Sequence, residues 1–224
     1  MFHVEQNSEL VRYLTQGCSS LGVTLSELQT SQFACYHREL IRWNEKINLT
    51  AITDIQGIAI KHFVDSLACC KALTKPLSEA SLLDIGSGGG VPGLPLKILY
   101  PDLHLTLLEP NHKKSAFLRH VIGTLELNHA QVFSQTIQQY SASPEHHGRF
   151  SYVTTRALSV QPIVHYVEPL LRDTGKFILC RSRATTNRGM GLKLAQEISY
   201  DLPYGAGERV LVVLQKKYVP RGTQ

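Results

Sequence analysis

From Ser81 onward the chain alternates between short apolar runs and longer stretches with a helical period. Strand-like runs fall near residues 81–85, 104–108, 130–134, 150–155, 175–180, 196–201 and 209–216, and helical stretches near 92–99, 112–126 and 160–171. Short apolar runs alternating with helices predict an α/β sheet with helices on both faces. No helical pattern separates the last two runs, so they predict an antiparallel hairpin at one edge of the sheet. The N-terminal part reads differently. Phe33, Tyr36, Leu40 and Trp43 recur at helical spacing, Thr24-x-x-Glu27 has the form of a capping box, and Asp54 is placed to cap a further helix through Ile60, Phe63, Val64 and Leu67. Pro76 interrupts that pattern. The expected organisation is a helical N-terminal cap over 1–75 and a sheet domain over 76–224, forming one compact unit.

The most informative residues are Leu82 to Gly93, LLDIGSGGGVPG. An apolar run carrying Asp84 opens into a glycine-rich turn, and Pro92 precedes a helix. Such a strand and turn bring backbone close to a ligand. A second apolar run, Leu103 to Leu108, ends in another acid, Glu109. Strand, glycine turn, helix, strand and acid together describe a nucleotide-cofactor site at the carboxyl edge of an open parallel sheet. Two cofactors compete for it. Gly88, Gly90 and Gly93 satisfy the dinucleotide pattern G-x-G-x-x-G, whose amides face a pyrophosphate. Gly86, Gly88 and Gly90, with Asp84 just upstream, read as an S-adenosylmethionine site. That molecule carries a sulfonium and an ammonium, which an acid beside the loop would attract, whereas a pyrophosphate would be repelled. Glu109 suits either, because both present a ribose diol. An NAD-type oxidoreductase and a non-catalytic RNA-binding protein on the same scaffold therefore stand as alternatives to a methyl-transferring enzyme.

Composition narrows the setting. The chain has 224 residues, 43% of them hydrophobic, enough for one full core. It contains no apolar run long enough for a membrane span and no signal-peptide pattern, so a cytoplasmic protein with no membrane partner is expected; a monomer is also expected. Its five cysteines include no C-x-x-C pair, which points to reduced thiols and not to a disulfide framework. Ten histidines show no H-x-x-x-H or H-E-x-x-H spacing, and no metal is expected. A formal net charge of +5 favours an anionic partner. The basic residues cluster at Lys113, Lys114 and Arg119, at Arg181, Arg183 and Arg188, and at Arg209, Lys216, Lys217 and Arg221. Arg181 to Gly191, RSRATTNRGMG, has no apolar period and reads as a surface loop.

Further motifs flank the glycine loop in order: WNEKINLT at Trp43 to Thr50, KHFVDSL at Lys61 to Leu67, LLEPNHKKSAFLR at Leu107 to Arg119, TRAL at Thr155 to Leu158, and GERVLVV at Gly207 to Val213. From about Gln32 to Lys217 the chain resembles the RsmG (GidB) family of bacterial small-subunit (16S) ribosomal RNA guanine-N7 methyltransferases. The resemblance implies a class I S-adenosylmethionine-dependent methyltransferase fold, a Rossmann-like seven-stranded sheet with a helical N-terminal extension. It implies ribosomal RNA or a ribosomal particle as partner. It also implies cofactor contacts at Gly86 and Val91 in the loop, at Ile137 and Gln138 after the third strand, and at Arg156, beside Gly88, Asp84 and Glu109. Arg119, Arg156 and Arg209 match basic residues near the target, and Asn48, His62, Asp65 and Ser66 match N-terminal motifs that close over the cofactor edge. Arg181 is the expected RNA contact where the family tends to have Lys-Gly. The chain departs from the family's acidic stretch after the third strand, where it has Ile137, Gln138 and Gln139.

The motifs fit N7 chemistry. Guanine N7 has an exposed lone pair and needs no proton removed before attack. Such an enzyme needs alignment and no general base, and Arg156 is the expected positioning residue. The chain lacks both the Asn/Asp-Pro-Pro-aromatic motif of exocyclic-amino methyltransferases and the Pro-Cys nucleophile of cytosine-C5 enzymes; Cys180 follows Leu179 and reads as core.

Overall fold

The computed structural model describes residues 2–74, 76–156, 159, 161–182 and 191–217. Arg183, Arg188 and Arg221 of the basic clusters, and Ala157 and Leu158 of the TRAL motif, lie outside the described residues.

Two long helices open the chain, α1 (Phe2–Ser20) and α2 (Glu27–Ile47). The capping box at the start of α2 lies two residues along from the expected Thr24 and Glu27. Ser26 takes the extended cap conformation, its hydroxyl accepts the Gln29 amide at 3.2 Å, and the Gln29 side chain accepts the Ser26 amide at 2.9 Å. Asn48 ends α2 in the left-handed conformation, φ 46°, which asparagine tolerates. A continuous helical run follows: α3 (Ile55–Gly57), a π-helical turn over Ile58–Val64, α4 (Asp65–Leu67) and a 3-10 segment over Ala68–Ala72. Asp54 caps it as expected, accepting the Gly57 amide at 2.7 Å.

The remainder alternates: β1 (Ser81–Ile85), α5 (Gly93–Leu99), β2 (His104–Leu108), α6 (His112–Thr124), β3 (Ala130–Phe133), α7 (Ile137–Ser141), β4 (Phe150–Thr155), α8 (Val164–Leu170), β5 (Leu171–Arg181), β6 (Leu192–Leu202) and β7 (Gly207–Lys216). Among the described residues these strands form one seven-stranded sheet in the order β3-β2-β1-β4-β5-β7-β6. The first five strands run parallel, and β7 is antiparallel to both β5 and β6, the expected edge hairpin. The order reverses at β1, which lies between β2 and β4, and opens a crevice there at the carboxyl ends of the strands.

Both faces of the sheet are covered. Leu82 packs into a core shared with Phe33, Tyr36 and Phe63 of the N-terminal helices, while Leu83 and Ile85 belong to a second core with Val164 and Val167 of α8. The period of two along β1 thus divides its side chains between two buried layers. The N-terminal helices share a core with the sheet. They also reach the crevice. The buried Tyr36 hydroxyl donates to the Gly89 carbonyl, and Asn44 shapes the 49–50 turn by accepting the Leu49 and Thr50 amides at 2.6 and 2.9 Å. Among the described residues no helix is long and apolar enough to cross a membrane. None of the five cysteines forms a disulfide, and Cys180 is buried in the core.

Candidate cofactor site

The turn after β1 is built by glycines and held by two acids. Gly86, Gly88 and Gly90 have φ of 70°, 53° and 94°, values that a side chain would oppose. The Gly86 and Ser87 amides donate to the Leu108 carbonyl at 2.8 and 3.2 Å, tying the turn to the end of β2. Glu109 then grips it from the side: one carboxylate oxygen accepts the Gly88 amide at 2.9 Å and the other accepts the Asn111 amide at 2.9 Å. Asp84 holds the far end, accepting the Gly93 amide at 3.1 Å and the Thr154 hydroxyl at 3.2 Å.

Above this turn lies a cleft of about 680 Å³. Gly86, Gly88, Val91, Glu109, Ile137, Gln138 and Arg156 all line it, together with Leu49 and His62 from the N-terminal segments. Seven of the eight residues expected around a cofactor are therefore brought to one cleft, from four separate stretches of chain. A Cβ placed on Gly88 would meet only the Gly86 carbonyl, at 3.9 Å, so the space over that glycine is open to a ligand.

Asp84 is the exception. It is 1% exposed and does not line the cleft. On β1 it shares the Leu82 face, beneath the turn, where the Gly93 amide and Thr154 take its oxygens. Burial pushes its carboxyl up to about 7, against the opposing effect of those hydrogen bonds. The charge argument for a direct contact with a cationic ligand thus gives way to a role in shaping the loop. The same contact bears on the dinucleotide pattern, because the Gly93 amide, which would face a pyrophosphate, already donates to a carboxylate.

Ile137 and Gln138 reach the cleft because they begin α7. Thr136 caps that helix, accepting the Gln139 amide at 3.3 Å while the Gln139 side chain accepts the Thr136 amide at 2.9 Å. The residue pattern Thr136-x-x-Gln139 is a legible capping box, yet no helix was expected there. The non-acidic stretch is therefore structural in part: Gln139 serves the cap, and Gln138 is left exposed at the rim.

Arg156 directly follows β4 at the cleft. Its guanidinium pairs with Asp65 at 2.8 Å and donates to the Lys61 carbonyl. His62 stands in the same wall, with Nε2 2.6 Å from the Thr50 hydroxyl. Burial, and then the charge of Arg156, lower its pKa to about 4, so the imidazole is neutral near pH 7. His62 and Asp65, three residues apart on the helical run, each take a partner from another segment.

The other arginines sit outside the cleft wall. Arg119 is exposed on α6 and donates to the Val132 carbonyl and the Ser134 hydroxyl. Arg181 donates to the Arg156 carbonyl at 2.9 Å, and Arg209 turns inward to Asp65 at 3.7 Å. Asn44, Leu49 and Thr50 also shape this edge, and the sequence marks them only through the WNEKINLT motif as a whole. Among the described residues no group of three or more His, Cys, Asp or Glu is placed to hold a metal ion.

Comparison with known proteins agrees with this architecture. Among solved structures, one described as MtNAS in complex with MTA and tNA superposes with a TM-score of 0.59 at 14% identity, covering 85% of this chain and 75% of that one. A putative methyltransferase, yhhF from Escherichia coli, superposes with a TM-score of 0.53 at 17% identity, covering 69% and 86%. These likenesses establish the fold. Sequence relatives go further. A ribosomal RNA small subunit methyltransferase G from Roseiflexus castenholzii is 40% identical over 84% of this chain and 78% of its own length. Proteins of the same name from Geotalea uraniireducens and Staphylococcus saprophyticus are 36% and 33% identical, over 94% and 92% of this chain and 98% and 90% of theirs. Residues 29–195 match the family model GidB, rRNA small subunit methyltransferase G. The chain belongs to that family.

Proposed function

We propose that the protein transfers a methyl group from S-adenosylmethionine to N7 of a guanosine in small-subunit (16S) ribosomal RNA. The observation that carries this reading is the convergence of Glu109, the open glycine turn and Arg156 on one cleft at the sheet's switch point. S-adenosylmethionine, when bound, supplies an electrophilic methyl group on a sulfonium. Glu109, fixed by two backbone amides, holds the ribose hydroxyls. The turn at Gly86 to Gly88 offers bare backbone for close approach, and Ile137 with Gln138 forms the apolar and polar sides of a slot for the adenine. Leu49, held by Asn44, covers the edge and excludes water. The target base enters beside Arg156. Its N7 lone pair requires no base to activate it, and the neutral His62 is not needed as one. The chain's contribution is alignment, with the groups fixed before the base arrives.

The oxidoreductase reading lacks an equivalent observation, because the Gly93 amide is taken by Asp84. A non-catalytic RNA-binding protein would need none of the cleft's polar groups. Methyl-labelled S-adenosylmethionine, offered with small-subunit and large-subunit RNA from cells lacking the modification, tests the assignment. Label in small-subunit RNA alone is expected. Cofactor binding without transfer to any RNA or particle would favour the non-catalytic reading.

A further inference from the structure

Asp65 is 4% exposed, and it stands where the π-helical turn passes into α4. Three side chains converge on it, one just past β4, one from β6 and one from β7. Arg156, at the end of β4, places Nη2 2.8 Å from Oδ2, and Arg209 on β7 places Nε 3.7 Å from the same oxygen. The Tyr200 hydroxyl on β6 donates to Oδ1 at 2.7 Å. Tyr200 and Arg209 are paired across the hairpin, so the far edge of the sheet clamps the carboxylate that holds Arg156. A buried carboxylate is unfavourable unless paired and hydrogen-bonded, and apolar residues of similar volume often stabilise as well. What the cluster adds is geometry. An unrestrained arginine at a strand end would sample many rotamers, whereas here Nη2 is taken by Asp65 and the Lys61 carbonyl. Nη1 is buried and has no hydrogen-bond partner among the described residues. A buried donor without a partner is rare, and this one belongs to a side chain that lines the cleft.

We propose that Asp65, anchored by Tyr200, is a positioning residue that holds the Arg156 guanidinium at the cleft wall for an acceptor on the target base. The inference rests on the methyl-transfer reading above. Beside N7, guanine carries O6, an acceptor, where adenine carries an amino group. A guanidinium can only donate. Fixed at that place it accepts guanine and rejects adenine, so the cluster sets base specificity through Arg156.

Asp65→Asn keeps the shape and an oxygen for Tyr200 while removing the charge; Tyr200→Phe removes the far anchor and leaves the ion pair. Both are measured on small-subunit RNA, in the natural background and with Arg156→Lys, after thermal melts establish folding. Asp65→Asn should lower kcat about 30-fold and Tyr200→Phe about 5-fold, with the Kd for S-adenosylmethionine changed less than about 3-fold. With Arg156→Lys present, each should cost less than about 2-fold. Asp65→Glu should recover part of the Asp65→Asn loss, and Asp65→Asn should raise the share of label outside guanosine. Natural kcat in either folded variant, or equal losses in both backgrounds, would overturn the proposal; equal losses would mean that the cluster only supports the fold. No transfer by the unsubstituted protein would overturn the methyl-transfer reading itself, and this inference with it.

Discussion

The Asp84 carboxylate accepts the Gly93 amide at 3.1 Å, so the acid within β1 anchors the first residue of α5 from beneath the glycine turn. Because burial raises its pKa to about 7 from 3.8, the folded protein binds this proton more tightly than the unfolded chain. The resulting stability is fully present below the ordinary value and is lost as pH rises through about 7. Asp84→Asn keeps an oxygen for Gly93 and cannot ionise. The variant should therefore lose less Tm than the natural protein between about pH 5 and 8. Calorimetric scans across that range check the sign; a Tm difference independent of pH would contradict it. Since Asp84 does not line the cleft, the Kd for S-adenosylmethionine should shift less than about 3-fold in this variant.

His62 gives the opposite pH dependence. Its pKa is lowered to about 4, by burial first and by Arg156 second. Its contribution to stability is complete above about 6.5 and is lost as pH falls through about 4. His62→Gln should flatten the acid side of the stability curve, read by denaturant melts between about pH 4 and 7. Methyl transfer should show no titration attributable to His62 above about pH 6, because the imidazole is already neutral there.

Glu109 accepts two amides and faces the cleft, so its removal should act on the cofactor before it acts on the fold. Glu109→Ala should raise the Kd for S-adenosylmethionine about 30-fold or more, through the loss of charge-assisted hydrogen bonds. Isothermal titration checks this, and an unchanged Kd would remove Glu109 from the binding site.

Arg156→Ala should lower methyl transfer at least about 100-fold, an effect on the order of 3 kcal/mol. It should also lower stability. Asp65 is buried and would keep only Tyr200 and the longer contact to Arg209, a loss of about 1–3 kcal/mol. Parallel activity and urea-melt measurements separate the two effects. A fold as stable as the natural one would mean that the Asp65 pairing contributes little.

The strands and the glycine turn were legible because their signals are local. Leu82, Leu83 and Ile85 form a short apolar run, and only glycines suit the turn that follows. The missed helix α7 was also legible in principle, through Thr136 and Gln139, but at Ile137–Ser141 it is too short to show an apolar period. The strand β5 begins at Leu171, earlier than expected, because Arg172, Asp173 and Thr174 are exposed there and mask the pattern. The edge strand β6 carries exposed Lys193 to Glu197 for the same reason.

The arrangement of the site was less legible than its membership. Asp84 and Glu109 look equivalent as acids beside strand ends, yet one lies under the turn and the other beside the cleft. Their difference depends on which sheet face each side chain occupies and on how the turn folds back. The clustering of Asp65, Arg156, Tyr200 and Arg209 depends on strand order, since β4 and the β6–β7 hairpin meet the 55–72 helical run only in three dimensions.

The measurement closest to the central claim is the identity of the methylated nucleoside. Small-subunit RNA and particles from cells lacking the modification are incubated with the protein and methyl-labelled S-adenosylmethionine, then digested to nucleosides and separated. The account predicts label in 7-methylguanosine. Label in another nucleoside, or in none while the cofactor binds, would contradict it.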